Sequence, residues 1–360
     1  MAIPVVQLGT GNVGVHSLRA LIADPDVRAH RCLGVIGRQN SGCKGAAELA
    51  GLADSTGVRA STDLNAVLAT GPRCAVYNAM ADNRLPEALE DYRRILAAGI
   101  NIVGSGPVFL QYPWQVIPDE IIKPLQDAAR AGNSSLYVNG IDPGFANDLL
   151  PMALAGTCES IEQIRCMEIV DYATYDSAVV MFDVMGFGKP MDQIPMLLQP
   201  GVLSLAWGSV VRQLAAGLGI SLDGVEEMYV REPAPEAFNI ASGHIPKGSA
   251  AALRFEVLGL VDGVPAVVLE HVTRLRADLC PEWPQPAQPG GSYRIEISGE
   301  PCYAMDICLS SRHGDHNHAG LVATAMRIVN AIPAVVAAEP GIRTTLDLPL
   351  ITGEGRYAAA

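Results

Sequence analysis

The sequence predicts an α/β protein in two parts, an N-terminal doubly wound parallel sheet and a C-terminal α+β domain. Three observations carry this. A short strand-like run, Val5-Val6-Gln7-Leu8, enters Gly9-Thr10-Gly11-Asn12-Val13-Gly14 and leaves through an amphipathic helical pattern at Val13, Leu18, Leu21 and Ile22. Strand-like and helix-like segments then alternate over about 140 residues, the pattern of a parallel sheet with crossover helices. From Pro151 onward strand-like segments dominate instead.

The opening turn has a mechanical reading. Gly9 permits the tight exit from the strand, Gly11 lets a pyrophosphate approach the backbone, and Gly14 lets helix and strand pack closely. Thr10, Asn12 and Val13 complete the loop, and the helix N-terminus offers free N–H groups to phosphate. A dinucleotide site is expected here. Cys32-Leu33-Gly34-Val35-Ile36 is the second strand, whose end selects the dinucleotide. A carboxylate there bonds the ribose 2′-hydroxyl of NAD, whereas an arginine accommodates the 2′-phosphate of NADP. Here Gly37-Arg38-Gln39-Asn40-Ser41 follows, and the next acid is Glu48. The forked guanidinium of Arg38, with Asn40 beside it, suits a phosphate. NADP is the expected cofactor and NAD the second choice.

Further elements follow in order. Asp63 begins a short capped helix, 74–79 is an apolar strand, and Leu85, Leu89, Tyr92 and Leu96 form one helical stripe closed by Gly99. A strand at 100–103, a helix at 120–130 closed by Gly132 and a strand at 136–138 complete the first domain, 1–145. Ligands bind such sheets outside the carboxyl ends of the strands. Asn78, Ala79, Ser105 and Asn139 are therefore expected around the nicotinamide, and Ile141, Asp142 and Phe145 around the substrate.

The second domain, 146–312, is expected to hold strands at 161–171, 226–231, 251–261, 266–275, 293–298 and 303–309, with Asp262-Gly263 as a hairpin turn. Helices are expected at 191–198 and 202–218. Its sheet would floor the active cleft and supply a dimer surface. The remainder, 313–360, reads as an apolar helix (Leu321, Val322, Met326, Val329, Ile332, Val335) and a tail bracing the domain junction. Tyr172, Tyr175, Met181 and His271 are substrate-site candidates, although Met at such spacing is commonly core. In Arg312-His313-Gly314-Asp315-His316-Asn317-His318, Asp315 or Asn317 is expected to cap the helix with the histidines solvated, and no metal is assigned.

The net charge of −13 argues against nucleic-acid or anionic-membrane partners. No apolar run is read as membrane-spanning, and no basic segment precedes the first strand, so neither a span nor a signal peptide is expected. The eight cysteines lack C-x-x-C pairs, as reduced thiols of a cytoplasmic enzyme would. A strand-elbow Gly-x-Ser-x-Gly is absent, which weakens a serine-hydrolase reading.

Three segments carry a resemblance: the Gly9–Gly14 turn, Asn139-Gly140-Ile141-Asp142-Pro143-Gly144-Phe145, and Glu168-Ile169-Val170-Asp171-Tyr172. Together they resemble the dihydrodipicolinate-reductase-like oxidoreductases, and within these the native amine dehydrogenases and 2,4-diaminopentanoate dehydrogenase. The latter two segments are the more diagnostic. The likeness extends to the helix at 321–340 and to Leu346-Asp347-Leu348-Pro349-Leu350. It implies a Rossmann half, NAD(P)-dependent reductive amination of a small ketone or aldehyde with ammonia (and the reverse), and a homodimer. One departure matters. Where the family has a glutamate to handle the amine proton, Gly104-Ser105-Gly106-Pro107-Val108-Phe109 contains no acid. Imine chemistry needs a proton acceptor and a negative charge, and a carboxylate supplies both. Either Asp142, Asp171 or Asp176 substitutes, Asp142 first because it lies at the strand-end edge, or the substrate is not an amine. Two rival readings are a biosynthetic reductase of a cyclic imine or semialdehyde and an NADP-binding sensor. The first would want a basic cluster, and only Lys189 and Lys247 stand near candidate loops.

Overall fold

The computed structural model describes residues 2–22, 30–36, 43–53, 56–81 and 84–357, with 30–33 as backbone only. Two compact units result, Met1–Ile141 with Leu321–Ala360, and Asp142–Gly320.

In the first unit, the strands are short and apolar on both faces because helices cover both sides of a parallel sheet. They are β1 (Ile3–Leu8), β2 (His30–Ile36), β3 (Ala60–Ser61), β4 (Cys74–Tyr77), β5 (Asn101–Gly104) and β6 (Ser135–Val138). Their order is β6-β5-β4-β1-β2-β3, and every pairing is parallel. Helices Asn12–Ile22, Leu85–Ala97 and Asp119–Gly132 follow β1, β4 and β5. Asp63 caps Leu64–Leu68 by accepting from Ala66 N at 3.2 Å.

Three features of this unit depart from expectation. The helix after β5 stops at Asn133 in the left-handed region, φ 52°, not at Gly132. Gly132 has a packing role instead, since a Cβ there would meet Leu96 O at 1.9 Å. A strand not anticipated, Gly341–Arg343, pairs parallel with β6. Finally, His316–Ala337 is 22 residues long at mean hydropathy 1.7, long and apolar enough by length and composition to cross a membrane. Here it supplies Ile328, Val329, Ile332 and Val335, all fully buried, to the core around Val5, Leu18 and Val76. The expected boundaries move accordingly. Residues 321–360 belong to the first unit through that core and that strand, and Asp142 and Phe145 fall in the second.

The second unit contains β7 (Ser160–Asp171), β8 (Gly224–Pro233), β9 (Phe238–Ile240), β10 (Gly243–Ile245), β11 (Ala250–Val261), β12 (Val264–Arg274), β13 (Gly291–Glu300) and β14 (Tyr303–Ile307). Six form one mixed sheet, β14-β13-β7-β12-β11-β8, antiparallel except for β7 beside β12. Asp262 (φ 51°) and Gly263 (φ 73°) make the tight turn between β11 and β12. Helix Gly208–Leu218 lies on one face, so close that a Cβ on Gly259 would meet Val211 Cγ1 at 2.5 Å. The expected helix at 191–198 is only a 3-10 turn, Met196–Leu198, and 202–218 divides at Trp207.

Candidate active site

The dinucleotide turn folds as its glycines require. Gly9 adopts φ 91°, and a Cβ there would lie 2.5 Å from Ala79 N and Asn78 C. A Cβ on Gly14 would lie 2.4 Å from Gly9 O, whereas one on Gly11 would meet nothing within 4 Å. Gly9 and Gly14 are thus closed by packing, and Gly11 presents open backbone beside Thr10, Asn12 and Val13 at the helix N-terminus. That is the cradle a pyrophosphate needs. Arg38 and Asn40, expected at the 2′-phosphate, lie outside the described residues.

Hydrogen bonds tie the strand ends to this turn. Ser105 Oγ donates to Asn78 Oδ1 at 3.0 Å, and Asn78 Nδ2 donates to Ser17 Oγ at 2.5 Å on the first helix. Asn139 Oδ1 accepts from Arg327 Nε at 3.0 Å. Asn78, Ala79, Ser105 and Asn139 therefore stand at the carboxyl ends of β4, β5 and β6, at the edge where doubly wound sheets bind ligands.

In the second unit, strand register brings separate stretches of sequence into one row. Tyr293 on β13 pairs with Glu168 on β7, Glu168 with His271 on β12, and His271 with Phe255 on β11. His271 Nε2 lies 3.0 Å from Glu168 Oε2, and its Nδ1 lies 2.8 Å from Thr273 Oγ1. Its ring stacks on Phe255 at 5.1 Å and 11°. Tyr172 donates its hydroxyl to Glu168 Oε1 at 3.2 Å, and Tyr175 packs against Tyr172 at 5.2 Å. Trp207, at the helix break, packs edge-on against Phe255 and donates Nε1–H to Asp142 Oδ1 at 2.9 Å. Two carboxyl groups and an imidazole thus share an aromatic-walled site.

Their protonation follows from this enclosure. Burial, then the nearby Glu168 charge, pushes Asp142 up to about 7, against the opposing effects of His271 and the Trp207 and Asn147 hydrogen bonds. Burial disfavours a charged His271, but Glu168 and Asp142 outweigh it and raise the imidazole above its ordinary value. Burial and then Glu168 also hold the Tyr172 and Tyr293 hydroxyls protonated, well above the usual phenol range. A carboxyl group pushed up to about 7 beside a raised imidazole suits general acid–base work.

Not every expected residue joins this site. Asp142, Tyr172, Tyr175 and His271 do, and Phe145 shares the turn that carries Asp142. Met181 is wholly buried in the core of the second unit and offers no surface to a ligand. Ile141 ends the first unit, where its backbone N–H meets Thr324 Oγ1 at 3.3 Å. Asp171 accepts from Ala173 N at 2.8 Å at the end of β7, and Asp176 is exposed. Sequence reasoning quoted Glu168 only as part of a motif and missed Trp207, Phe255 and Tyr293. The available signal was a charged residue, Glu168, inside an otherwise apolar run at 166–170. Asp315 does cap its helix, accepting from His318 N at 3.1 Å, but His316 is buried, not solvated. Among the described residues, no group of three or more His, Cys, Asp or Glu could hold a metal ion.

Comparison with known proteins finds relatives over the whole chain. Residues 145–356 match the family described as the 2,4-diaminopentanoate dehydrogenase C-terminal domain. An amine dehydrogenase of Streptomyces virginiae is 38% identical over 357 residues, 98% of each chain. Among solved structures, the amine dehydrogenase from Mycobacterium smegmatis superimposes with a TM-score of 0.79 at 20% identity, covering 99% of both chains. A dihydrodipicolinate reductase from Paenisporosarcina sp. TG-14 has a TM-score of 0.50 at 13% identity, covering 96% of this chain and 99% of that one. These two structural likenesses concern the fold. With the sequence match over its whole length, a Rossmann unit built for a nicotinamide dinucleotide and a second unit of the diaminopentanoate dehydrogenase type, the chain belongs to the amine dehydrogenase family of oxidoreductases.

Proposed function

We propose that this protein is an NADP-dependent amine dehydrogenase, interconverting a small, largely apolar ketone or aldehyde plus ammonia with the primary amine. The observation that carries the reading is the enclosed Asp142, Glu168 and His271 cluster, which supplies the carboxylate missing from 104–109. The dinucleotide would be held by Gly9, Thr10, Gly11, Asn12, Val13 and Gly14, with Asn78, Ala79, Ser105 and Asn139 near its nicotinamide and Arg38 and Asn40 at its 2′-phosphate. When bound, it supplies or accepts the hydride.

The chain's own groups do the remainder. A carboxylate attracts the substrate ammonium and the iminium that replaces it, and the faces of Trp207 and Tyr172 favour the same cation. Asp142 gives and takes the amine proton, since its affinity near neutrality suits both directions. Glu168 pairs with His271, which Thr273 holds in place. We further infer a homodimer in the cytoplasm, from the family resemblance and the unpaired cysteines, all seven described being free thiols.

The test is turnover of primary amines with NADP⁺, followed by reduced-nicotinamide absorbance. The wild-type chain is expected to reduce NADP⁺, and Asp142→Asn and Glu168→Gln each to lose about a hundredfold or more in kcat. Full turnover by both variants would overturn the assignment.

A further inference from the structure

His316 is 4% exposed, and among the described residues neither ring nitrogen has a hydrogen-bond partner at ordinary distance and angle. An unpartnered polar group in a protein interior is costly, so each one calls for an explanation. The neighbourhood holds the ring in place without satisfying it. The imidazole packs on Tyr293 at 5.4 Å. Gly290 and Gly291 make room for it, since a Cβ on Gly291 would lie 2.6 Å from His316 Cδ2. The Leu309 carbonyl, the polar group beside the ring, also accepts from Gln288 Nε2 at 2.6 Å. Asn317 Nδ2 bonds Asp171 O and Thr174 Oγ1, each at 2.8 Å, and Asp315 bonds Thr174, so the start of this helix is fixed to the end of β7. Tyr293, which carries the imidazole on its ring, hydrogen-bonds Glu168. Burial keeps His316 neutral by lowering its proton affinity, although Glu168, the Leu309 carbonyl and Asp315 oppose this. A neutral imidazole has one N–H to donate and one nitrogen to accept.

We infer that His316 touches the substrate and donates its N–H to the carbonyl oxygen. The inference rests on the amine dehydrogenase reading. The reacting carbon passes through a carbinolamine bearing both nitrogen and oxygen, and these need different partners. In the aminating direction, the ammonia lone pair forms the C–N bond, and the C=O π pair moves onto oxygen. The proton shed by nitrogen reaches that oxygen through the Asp142 carboxyl. The nitrogen lone pair then forms the iminium as the C–O bond breaks, and oxygen leaves as water with one further proton, drawn from solvent through Asp142; a bound reduced nicotinamide would supply the hydride. His316 stabilises the developing oxyanion without a net proton change, as neutral hydrogen-bond donors do elsewhere.

The role predicts a split between steps. Hydride transfer from an amine precedes any oxygen chemistry, whereas hydrolysis of the iminium requires it. In His316→Leu, the first-turnover burst of NADPH from an amine should stay within about threefold of wild type. Steady-state deamination and ketone amination should both fall at least about tenfold, and His316→Gln, which keeps a donor, should recover part of the loss. Thermal melting of both variants monitors folding. A burst that falls in parallel with the steady state marks a structural role and overturns the inference, as does an unchanged steady state. If instead the wild-type chain forms no NADPH from any amine, it is the amine dehydrogenase reading that fails.

Discussion

Asp142 carries the residue-scale argument, because its pKa couples chemistry to stability. Its folded value is raised to about 7 by burial and by Glu168. From about 4 to about 7, the folded chain keeps a proton that the unfolded chain releases, so stability declines as pH rises through that window. Asp142→Asn should flatten the dependence of unfolding free energy on pH there. His271, also raised, adds a decline of the same sign above its own ordinary value, so the comparison is between variant and wild type across one titration. Denaturant unfolding at a series of pH values checks this, and an unchanged slope would remove Asp142 from the account. Asp142 and His271 could be singled out from sequence because each is a polar residue ending or interrupting an apolar strand. Glu168 could not be given a role, because nothing local says that its side chain meets His271, about a hundred residues away in the chain.

At the scale of elements, close approach decides which substitutions hurt. Gly9→Ala adds a Cβ 2.5 Å from the Asn78–Ala79 backbone at φ 91°. It should destabilise the fold by about 1–3 kcal/mol, and it should abolish the rise in melting temperature that NADPH confers. Gly259→Ala drives a methyl into Val211 Cγ1 at 2.5 Å, where helix Gly208–Leu218 meets β11. A loss of about 1–3 kcal/mol is expected, and adding Val211→Ala should recover part of it by removing the clashing methyl. Urea denaturation of the two single variants and the double variant measures that coupling. The glycines of the dinucleotide turn were legible because strand, turn and helix are contiguous. Gly259 was not, since its partner lies on a helix that precedes it by almost fifty residues.

At the scale of the whole molecule, the Gly9–Gly14 turn and the proposed acid–base groups belong to different units. Asp142→Asn and Glu168→Gln should therefore leave the Kd for NADPH within about twofold of wild type while removing turnover. Arg38→Ala should do the opposite, weakening NADPH by about tenfold or more and leaving NADH unaffected. Titration of nucleotide fluorescence separates the two classes.

The chain by itself determined the doubly wound sheet, the change to an α+β pattern after Pro151, the dinucleotide turn and the kinship with amine dehydrogenases. Each is written in local periodicity or in a contiguous motif. Tertiary structure alone decided that Gly341–Arg343 joins the first sheet, that His316 is buried, and that Tyr293, Glu168, His271 and Phe255 form one row. Strand pairing aligns residues far apart in sequence, and a one-residue slip in register would turn each of these side chains to the other face.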